Sequence, residues 1–325
     1  MAPKIFIDGE AGTTGLQIRQ RLAGRTDLEI IAIDPARRKD PQARKELINR
    51  ADVVILCLPD DAAREAVSLV ESDAVRIIDA STAHRTQAGW AYGFPEMTKH
   101  QRDAIKSARF VTNPGCYPTG FIALVRPLVA AGLVPSSWPI STNAVSGYTG
   151  GGRRMIAEFE DEDSRDFTRV PYRIYALSGE HKHVPEMKTH AGLDHLPVFA
   201  PAVGRYAQGM IVEVPLPLYA LPSQPRLGDL HAALAEAYRG ERFVEVVTPE
   251  EASSVGSLAP ESLNGTNNMK LYVLGSDTLE QARLVAVLDN LGKGASGAAV
   301  QNLNLMLGFA EATGLDQPFE WETAS

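Results

Sequence analysis

The sequence predicts an α/β protein with a Rossmann-like, doubly wound parallel sheet domain followed by an α+β domain with a mixed sheet. Three observations lead there. Short apolar runs alternate with helically spaced segments through the first part of the chain. A glycine-rich turn joins the first run to the first helical stretch. The later texture is strand-like, with few helices between the runs. At 325 residues the chain is long for one domain and natural for two. The expected division gives 1–114, completed by a C-terminal helix in 295–325, to the first domain and 115–294 to the second.

Residues 4–8 (K-I-F-I-D) form an apolar run of buried-strand length. They lead into G-E-A-G-T-T-G, which contains Gly9, Gly12, Thr13, Thr14 and Gly15. A glycine turn between strand and helix presents backbone N–H groups to a phosphate and lets a pyrophosphate approach closely. The spacing is G-x-x-G-x-x-G and departs from G-x-G-x-x-G, so an ordinary tight turn is the alternative. Residues 29–34 read as the second strand, ending at Asp34, where an acidic side chain holds the ribose 2′-hydroxyl of NAD. Arg37 and Arg38 follow at once and suit the 2′-phosphate of NADP. The cofactor taken is NADP(H), with a solvated arginine loop as the alternative.

Residues 52–59 form a strand closed by Pro59, with Cys57 in its apolar run. Residues 60–70 read as a helix, 75–80 as a strand, 97–107 as a polar helix and 109–112 as a strand. Ligands bind at the carboxyl ends of such strands, which draws in Pro59 and the S-T-A-H-R segment from Ser81 to Arg85. Arg85 is either an anion clamp or a plain surface arginine, and His84 is read as structural. Asn113-Pro114-Gly115 then forces a turn before Cys116, one of two cysteines. Pro118 stands near the start of the apolar helix that follows. Cys116 would lie at that helix N-terminus, where the dipole and free N–H groups favour a thiolate. The alternative is a small buried hydrophobe.

Residues 140–147 read as a strand entering the glycine-rich loop S-G-Y-T-G-G-G-R, and 158–169 as a charged helix or loop. In G-E-H-K-H-V-P-E, an extended backbone would place His181 and His183 on one face, and a helical one would not. Two readings compete: His181 as the proton partner of Cys116, or the H-x-H pair with Glu186 as a metal site. Surface histidines are a third. Residues 197–201, 209–215, 243–247 and 269–274 read as strands and 228–238 as a helix. A mixed sheet of this kind can support dimerisation. The glycine-rich D-N-L-G-K-G-A-S-G precedes a long apolar helix over 298–312, expected to pack on the first domain.

A formal charge of −8 without any basic tract argues against a nucleic-acid partner. Two cysteines do not make a disulfide scaffold and suit a reducing compartment. The opening has no secretory pattern, and no apolar stretch reaches bilayer length. A soluble, cytoplasmic protein without a membrane partner is expected.

N-P-G-C-Y-P-T-G, G-E-H-K-H-V-P-E and D-N-L-G-K-G-A-S-G-A-A-V-Q-N together resemble the N-acetyl-γ-glutamyl-phosphate reductase family. The opening I-F-I-D-G-E-A-G-T-T-G-L-Q-I resembles its shorter subgroup, and the match runs in order over essentially the whole chain. The resemblance implies an NADP-binding domain and a catalytic and dimerisation domain like that of aspartate-semialdehyde dehydrogenase. It implies reduction of N-acetyl-L-glutamyl 5-phosphate to the 5-semialdehyde with phosphate release, a step of arginine biosynthesis. It also implies Cys116 as the thioester-forming nucleophile and His181 as acid/base. Arg85 and His183 are implied on the substrate side, and Asn113 and Gly147 are taken as further substrate-side candidates. Gly12, Thr13, Gly15 and the 290–294 loop, with Asn290 and Gly294, are implied on the cofactor side, and Gly9, Thr14, Arg37, Arg38, Pro59 and Ser81 join them as cofactor candidates from the loops read above. No metal is implied, and the expected assembly is a homodimer or homotetramer. The alternatives are aspartate-semialdehyde dehydrogenase itself and, from another class, a nucleotide-sensing protein without catalysis.

Overall fold

The computed structural model describes residues 2–37, 40–317 and 319. Two compact units divide them: one runs up to Pro95, from Lys99 to Gly115 and from Ala295 onward, the other takes Glu96–Thr98 and Cys116–Gly294.

The first unit contains β1 (Lys4–Asp8), α1 (Thr13–Leu22), β2 (Glu29–Ile31), α2 (Pro41–Arg50), β3 (Val53–Leu56), α3 (Asp60–Ser68), β4 (Arg76–Asp79), β5 (Ala91–Tyr92), α4 (Gln101–Ser107) and β6 (Phe110–Thr112). Its strands form one parallel sheet in the order β2-β1-β3-β4-β6-β5. β3 is buried along its whole length, as expected of a strand covered on both faces. β2 stops at Ile31, short of residue 34, because Pro35 opens a 3₁₀ turn and the Asp34 carboxylate accepts the Ala36 N–H at 2.9 Å. α2 was not expected from the sequence. Its start is set by Asp40, whose side chain accepts the Gln42 N–H at 2.9 Å, and by Pro41 in the first turn. Only Ala43 and Ile48 are buried along it, too few to show an apolar stripe.

The second unit contains α5 (Cys116–Ala130), β7 (Ser141–Gly147), α6 (Gly152–Glu160), β8 (Tyr172–Ile174), α7 (Val184–Ala191), β9 (Val198–Gly204), β10 (Met210–Pro217), α8 (Leu227–Ala237), β11 (Val244–Val246), α9 (Pro249–Ser254), β12 (Met269–Ser276) and β13 (Gln281–Leu288). Its seven-stranded sheet runs β11-β12-β13-β10-β7-β9-β8, parallel at β11/β12 and β7/β9 and antiparallel elsewhere. The register sorts side chains cleanly. Val212 and Ala286 are paired and face α5, where a Cβ on Gly120 would come within 2.9 Å of the Val212 side chain. The opposite face carries Tyr172, Ile174 and Val198, which are 55%, 59% and 70% exposed.

The chain then returns to the first unit through α10 (Gly297–Leu307). α10 ends before residue 312 because Gly308 adopts a left-handed conformation (φ 76°). Asn304 extends the cap, its Nδ2 donating to the carbonyls of Glu311 and Thr313 at 3.0 and 2.9 Å. Among the described residues no helix is long and apolar enough to cross a membrane.

Candidate active site

The glycine loop of the first unit is shaped by close approach. Gly9 has φ +89°, and a Cβ there would lie 2.4 Å from the Cys57 carbonyl oxygen. A Cβ on Gly15 would lie 2.5 Å from the Gly9 carbonyl oxygen, so both positions exclude a side chain. Gly12 stands at the N-cap of α1 without a side-chain cap, its own N–H donating to Gly9 at 2.9 Å. Thr13 and Thr14 open α1, and the Thr13 hydroxyl is buried without a hydrogen-bond partner. An uncapped helix start, a glycine cradle and an unsatisfied buried hydroxyl fit the phosphates of a dinucleotide. Arg37 lies beyond β2, paired with Asp40 at 2.8 Å on the surface. Arg38 falls outside the described residues.

The loops at the carboxyl ends of β3 and β4 are tied to each other. Pro59 caps α3, and the Asp60 carboxylate accepts the Thr82 N–H and hydroxyl at 2.9 and 2.5 Å. Buried Asp79 accepts the Ser81 N–H and hydroxyl at 2.9 and 2.8 Å and meets His84 Nδ1 at 2.5 Å. His84 stacks on Trp90 with ring centroids 4.2 Å apart. Arg85 is buried, its Nε donating to the Asn113 carbonyl and its Nη2 to the Ala80 carbonyl, both at 3.0 Å. The Asn113 amide donates to the Ala295 carbonyl at 2.8 Å and accepts from Asn302 at 3.2 Å. The turn ahead of Cys116 is thus held by Arg85 at its backbone and by two residues flanking the start of α10 and within it at its side chain. Cys57 sits in this unit, its thiol pushed up by burial and by the charges of Asp79 and Asp8.

In the second unit Cys116 is the first residue of α5. The helix start leaves N–H groups unpaired by the helix itself, and Pro118 removes one of them. A Cβ on Gly294 would lie 2.8 Å from the Cys116 Cβ, so the absence of a side chain there sets where the sulfur sits. The contact is with a backbone-anchored atom and cannot be relieved by a flexible tip. Gly294→Ala should therefore lower kcat by about 10- to 100-fold through displacement of the nucleophile, while a urea midpoint change stays modest. Wild-type turnover in that variant would remove Gly294 from the site.

Asn290 and Gly147 are joints of the same unit. Asn290 Oδ1 accepts the Gly209 N–H at 2.7 Å and its Nδ2 donates to the Thr149 hydroxyl at 3.2 Å. A Cβ on Gly147 would strike the Ala207 carbonyl oxygen at 2.3 Å. Both are committed to packing within the unit. Lys293, in the π-helical turn Gly292–Ser296, is buried against Glu96, Nζ to Oε1 2.7 Å.

The H-x-H segment is neither the strand nor the helix considered from sequence. Residues 181–183 form a turn, and His183 caps the start of α7. The two rings nevertheless meet, centroids 4.7 Å apart. His181 also packs against Tyr117, Tyr175 and Phe199 at 6.2, 5.9 and 5.1 Å. His183 is buried and tilted against Tyr117 at 5.9 Å. Tyr175 donates to the Tyr117 hydroxyl, and Tyr117 to the Ala202 carbonyl, each at 3.1 Å. Burial pushes the Tyr175 phenol up to about 12. Tyr117, the residue after Cys116, thus touches both Tyr175 and His181. Sequence reading missed Tyr117, Tyr175 and Phe199; only the place of Tyr117 directly after Cys116 hinted at one of them. Burial, then the Lys182 charge, lower the His181 imidazole to about 4. Among the described residues no group of three or more His, Cys, Asp or Glu side chains is arranged to hold a metal ion.

Two family models match the chain: "Semialdehyde dehydrogenase, NAD binding domain" over residues 4–108 and "Semialdehyde dehydrogenase, dimerisation domain" over residues 116–290. The chain is 55% identical over 319 residues to N-acetyl-gamma-glutamyl-phosphate reductase 2 of a Nostoc species, covering 96% of this chain and 99% of that protein. It is 57% identical over 309 residues to N-acetyl-gamma-glutamyl-phosphate reductase of Brucella ovis, covering 95% and 100%. Among solved structures, aspartate semialdehyde dehydrogenase II of Vibrio cholerae complexed with ASA superposes with a TM-score of 0.70 at 13% identity, over 95% of this chain and 99% of that one. Aspartate semialdehyde dehydrogenase of Candida albicans with NADP gives 0.64 at 14% identity, over 94% and 99%. At such identities the structural likeness speaks for the fold, whose first unit is of the nicotinamide-dinucleotide-binding kind.

Proposed function

The chain belongs to the N-acetyl-γ-glutamyl-phosphate reductase family of semialdehyde dehydrogenases, and we propose that it reduces N-acetyl-L-glutamyl 5-phosphate to the 5-semialdehyde with release of phosphate. The observation that carries this reading is Cys116 at the first position of α5, with the next residue, Tyr117, edge-on to the His181 ring at 6.2 Å. Direct reduction of an acyl phosphate is divided into easier steps by a covalent thioester. The Cys116 sulfur attacks the acyl carbon, the carbon–oxygen bond to phosphate breaks, and phosphate leaves. When bound, NADPH supplies the hydride that reduces the thioester. Backbone N–H groups at the start of α5 and the His181 imidazole face the oxyanion that develops on the sulfur-bound carbon. Collapse of that species returns the sulfur and releases the aldehyde.

We assign the cofactor to Gly9, Gly12, Thr13, Thr14 and Gly15, with Pro59 and Ser81 on neighbouring loops and Arg37 toward the 2′-phosphate that distinguishes NADP from NAD. Arg85 and His183 are assigned to the substrate side. The reading also seats a second copy of the chain on the open face of the seven-stranded sheet, around Tyr172, Ile174 and Val198, in line with the dimerisation-domain description matched there. Its compartment is the cytoplasm, where both cysteines remain thiols.

The test runs the reaction backwards. Phosphate-dependent reduction of NADP should be efficient with N-acetyl-L-glutamate 5-semialdehyde and at least about tenfold weaker in kcat/KM with L-aspartate semialdehyde or with NAD, a difference of about 1.4 kcal/mol. A preference for L-aspartate semialdehyde would move the chain to the neighbouring activity. Absence of any turnover would favour a binding protein.

A further inference from the structure

We infer that His181 works as a neutral imidazole fixed with its proton on Nε2, a hydrogen-bond donor to the reacting sulfur and oxyanion, and is not the base that takes the Cys116 proton. The inference deepens the reaction proposed above and rests on it.

The geometry that carries it is one hydrogen bond. The His183 backbone N–H donates to His181 Nδ1 at 3.1 Å. A ring nitrogen that accepts carries no proton, so the neutral ring holds its proton on Nε2. The fold locks this arrangement, because the His181 carbonyl also accepts the Val184 N–H at 3.0 Å. Ring and carbonyl of one residue thus receive successive N–H groups at the entry to α7. Protonating Nδ1 would set one N–H against another.

The surroundings oppose an imidazolium as well. The rings against His181 are Tyr117 from α5, Tyr175 after β8, Phe199 from β9 and His183 from its own turn. None carries a carboxylate, and the charged neighbour acting on the ring is the cation of Lys182. The start of α7 adds the positive end of a helix dipole. A histidine built as a base shows the reverse pattern: Nδ1–H donates to a carboxylate or carbonyl, and Nε2 is left to accept.

The proton ledger then changes. The Cys116 thiol proton passes to a phosphoryl oxygen of the acyl phosphate. As the sulfur–carbon bond forms and the carbon–oxygen bond breaks, that proton leaves with the product as hydrogen phosphate. After reduction, Nε2–H donates to the oxyanion, the carbon–sulfur bond breaks, aldehyde and thiolate separate, and the thiolate takes a proton from solvent to restore the thiol.

Two measurements on the full chain decide it. In ¹⁵N-histidine NMR without substrate, with His181 assigned by its loss in His181→Gln, Nε2 should be protonated and Nδ1 bare, unchanged between about pH 6 and 8. A protonated Nδ1, or titration in that range, overturns the inference. This arm needs no turnover, so it decides the tautomer even if the proposed reaction proves wrong. Kinetics supply the second arm. Glutamine can place an amide N–H where Nε2–H stands, and asparagine cannot reach. His181→Gln should keep kcat/KM within about tenfold of wild type, while His181→Asn should lose about 10²–10³-fold. Equal losses in both variants would return His181 to proton transfer.

Discussion

Serine at position 116 should lower kcat by roughly 10³-fold or more, with NADPH binding and the fold unchanged. That loss corresponds to about 4 kcal/mol of transition-state stabilisation, at 1.36 kcal/mol per tenfold. The loss follows from what sulfur does at the head of α5. As its proton leaves, sulfur there is stabilised as thiolate by the helix dipole and the N–H groups of the first turn, whereas a serine hydroxyl holds its proton at neutral pH. Oxygen is smaller than sulfur, so the close approach of Gly294 does not oppose the replacement. The residues assigned to cofactor phosphates belong to the other unit, so cofactor affinity measures folding independently of chemistry. Incubating wild-type protein with the acyl phosphate and no NADPH should add one N-acetylglutamyl group, located by mass on Cys116. The serine variant should gain none. Cys57 serves as an internal control, since burial and nearby carboxylates hold its thiol protonated. An adduct on Cys57, or a serine variant with wild-type turnover, would remove the thioester from Cys116.

How much of this was legible beforehand depends on whether the information is local. The glycine loop and the Asn113-Pro114-Gly115 turn were readable because proline and glycine restrict the backbone where they stand. The strands of the first sheet were readable from apolar runs that parallel pairing buries on both faces. β13, from Gln281 to Leu288, was missed although it pairs along its length with both β10 and β12. Its alternation begins with Gln281 and Arg283 on the open face and ends in a continuous apolar run, a mixture of two patterns. The chemistry divided the same way. Cys116 and His181 stand in distinctive local motifs. Tyr175 becomes visible only when β8 brings the chain beside β9 and returns its ring to Tyr117. The tautomer of His181 depends on a turn that neither a strand nor a helix reading contains. Long-range pairing and the direction of a single N–H leave no periodic trace in a sequence.

The largest stability effect is expected from Lys293→Met, about 3–5 kcal/mol, because it takes the paired cation away from a buried carboxylate. Lys293 and Glu96 are 1% and 3% exposed, and their charged atoms meet at 2.7 Å. The ammonium also lies 5.6 Å from the centre of the Phe243 ring. Burial, then the Glu96 charge, raise the Tyr238 phenol. A buried pair of this kind is weak evidence for net stability, since desolvation of both ions offsets most of their attraction. Breaking it is another matter, because the carboxylate keeps its desolvation and loses the attraction of the ammonium. Position gives the pair its consequence. Glu96 enters the second unit on a segment whose chain neighbours belong to the first, and Lys293 adjoins Gly294, which sets Cys116. Lys293→Met should therefore lower both the urea midpoint and kcat. Replacing both residues by Met separates charge from position, since the double variant carries neither ion. Its destabilisation should be smaller than that of Lys293→Met alone, giving a coupling energy of about 1–3 kcal/mol in a double-mutant cycle. Strictly additive losses would mean that the two side chains act independently and that the Gly292–Ser296 turn is held by its backbone.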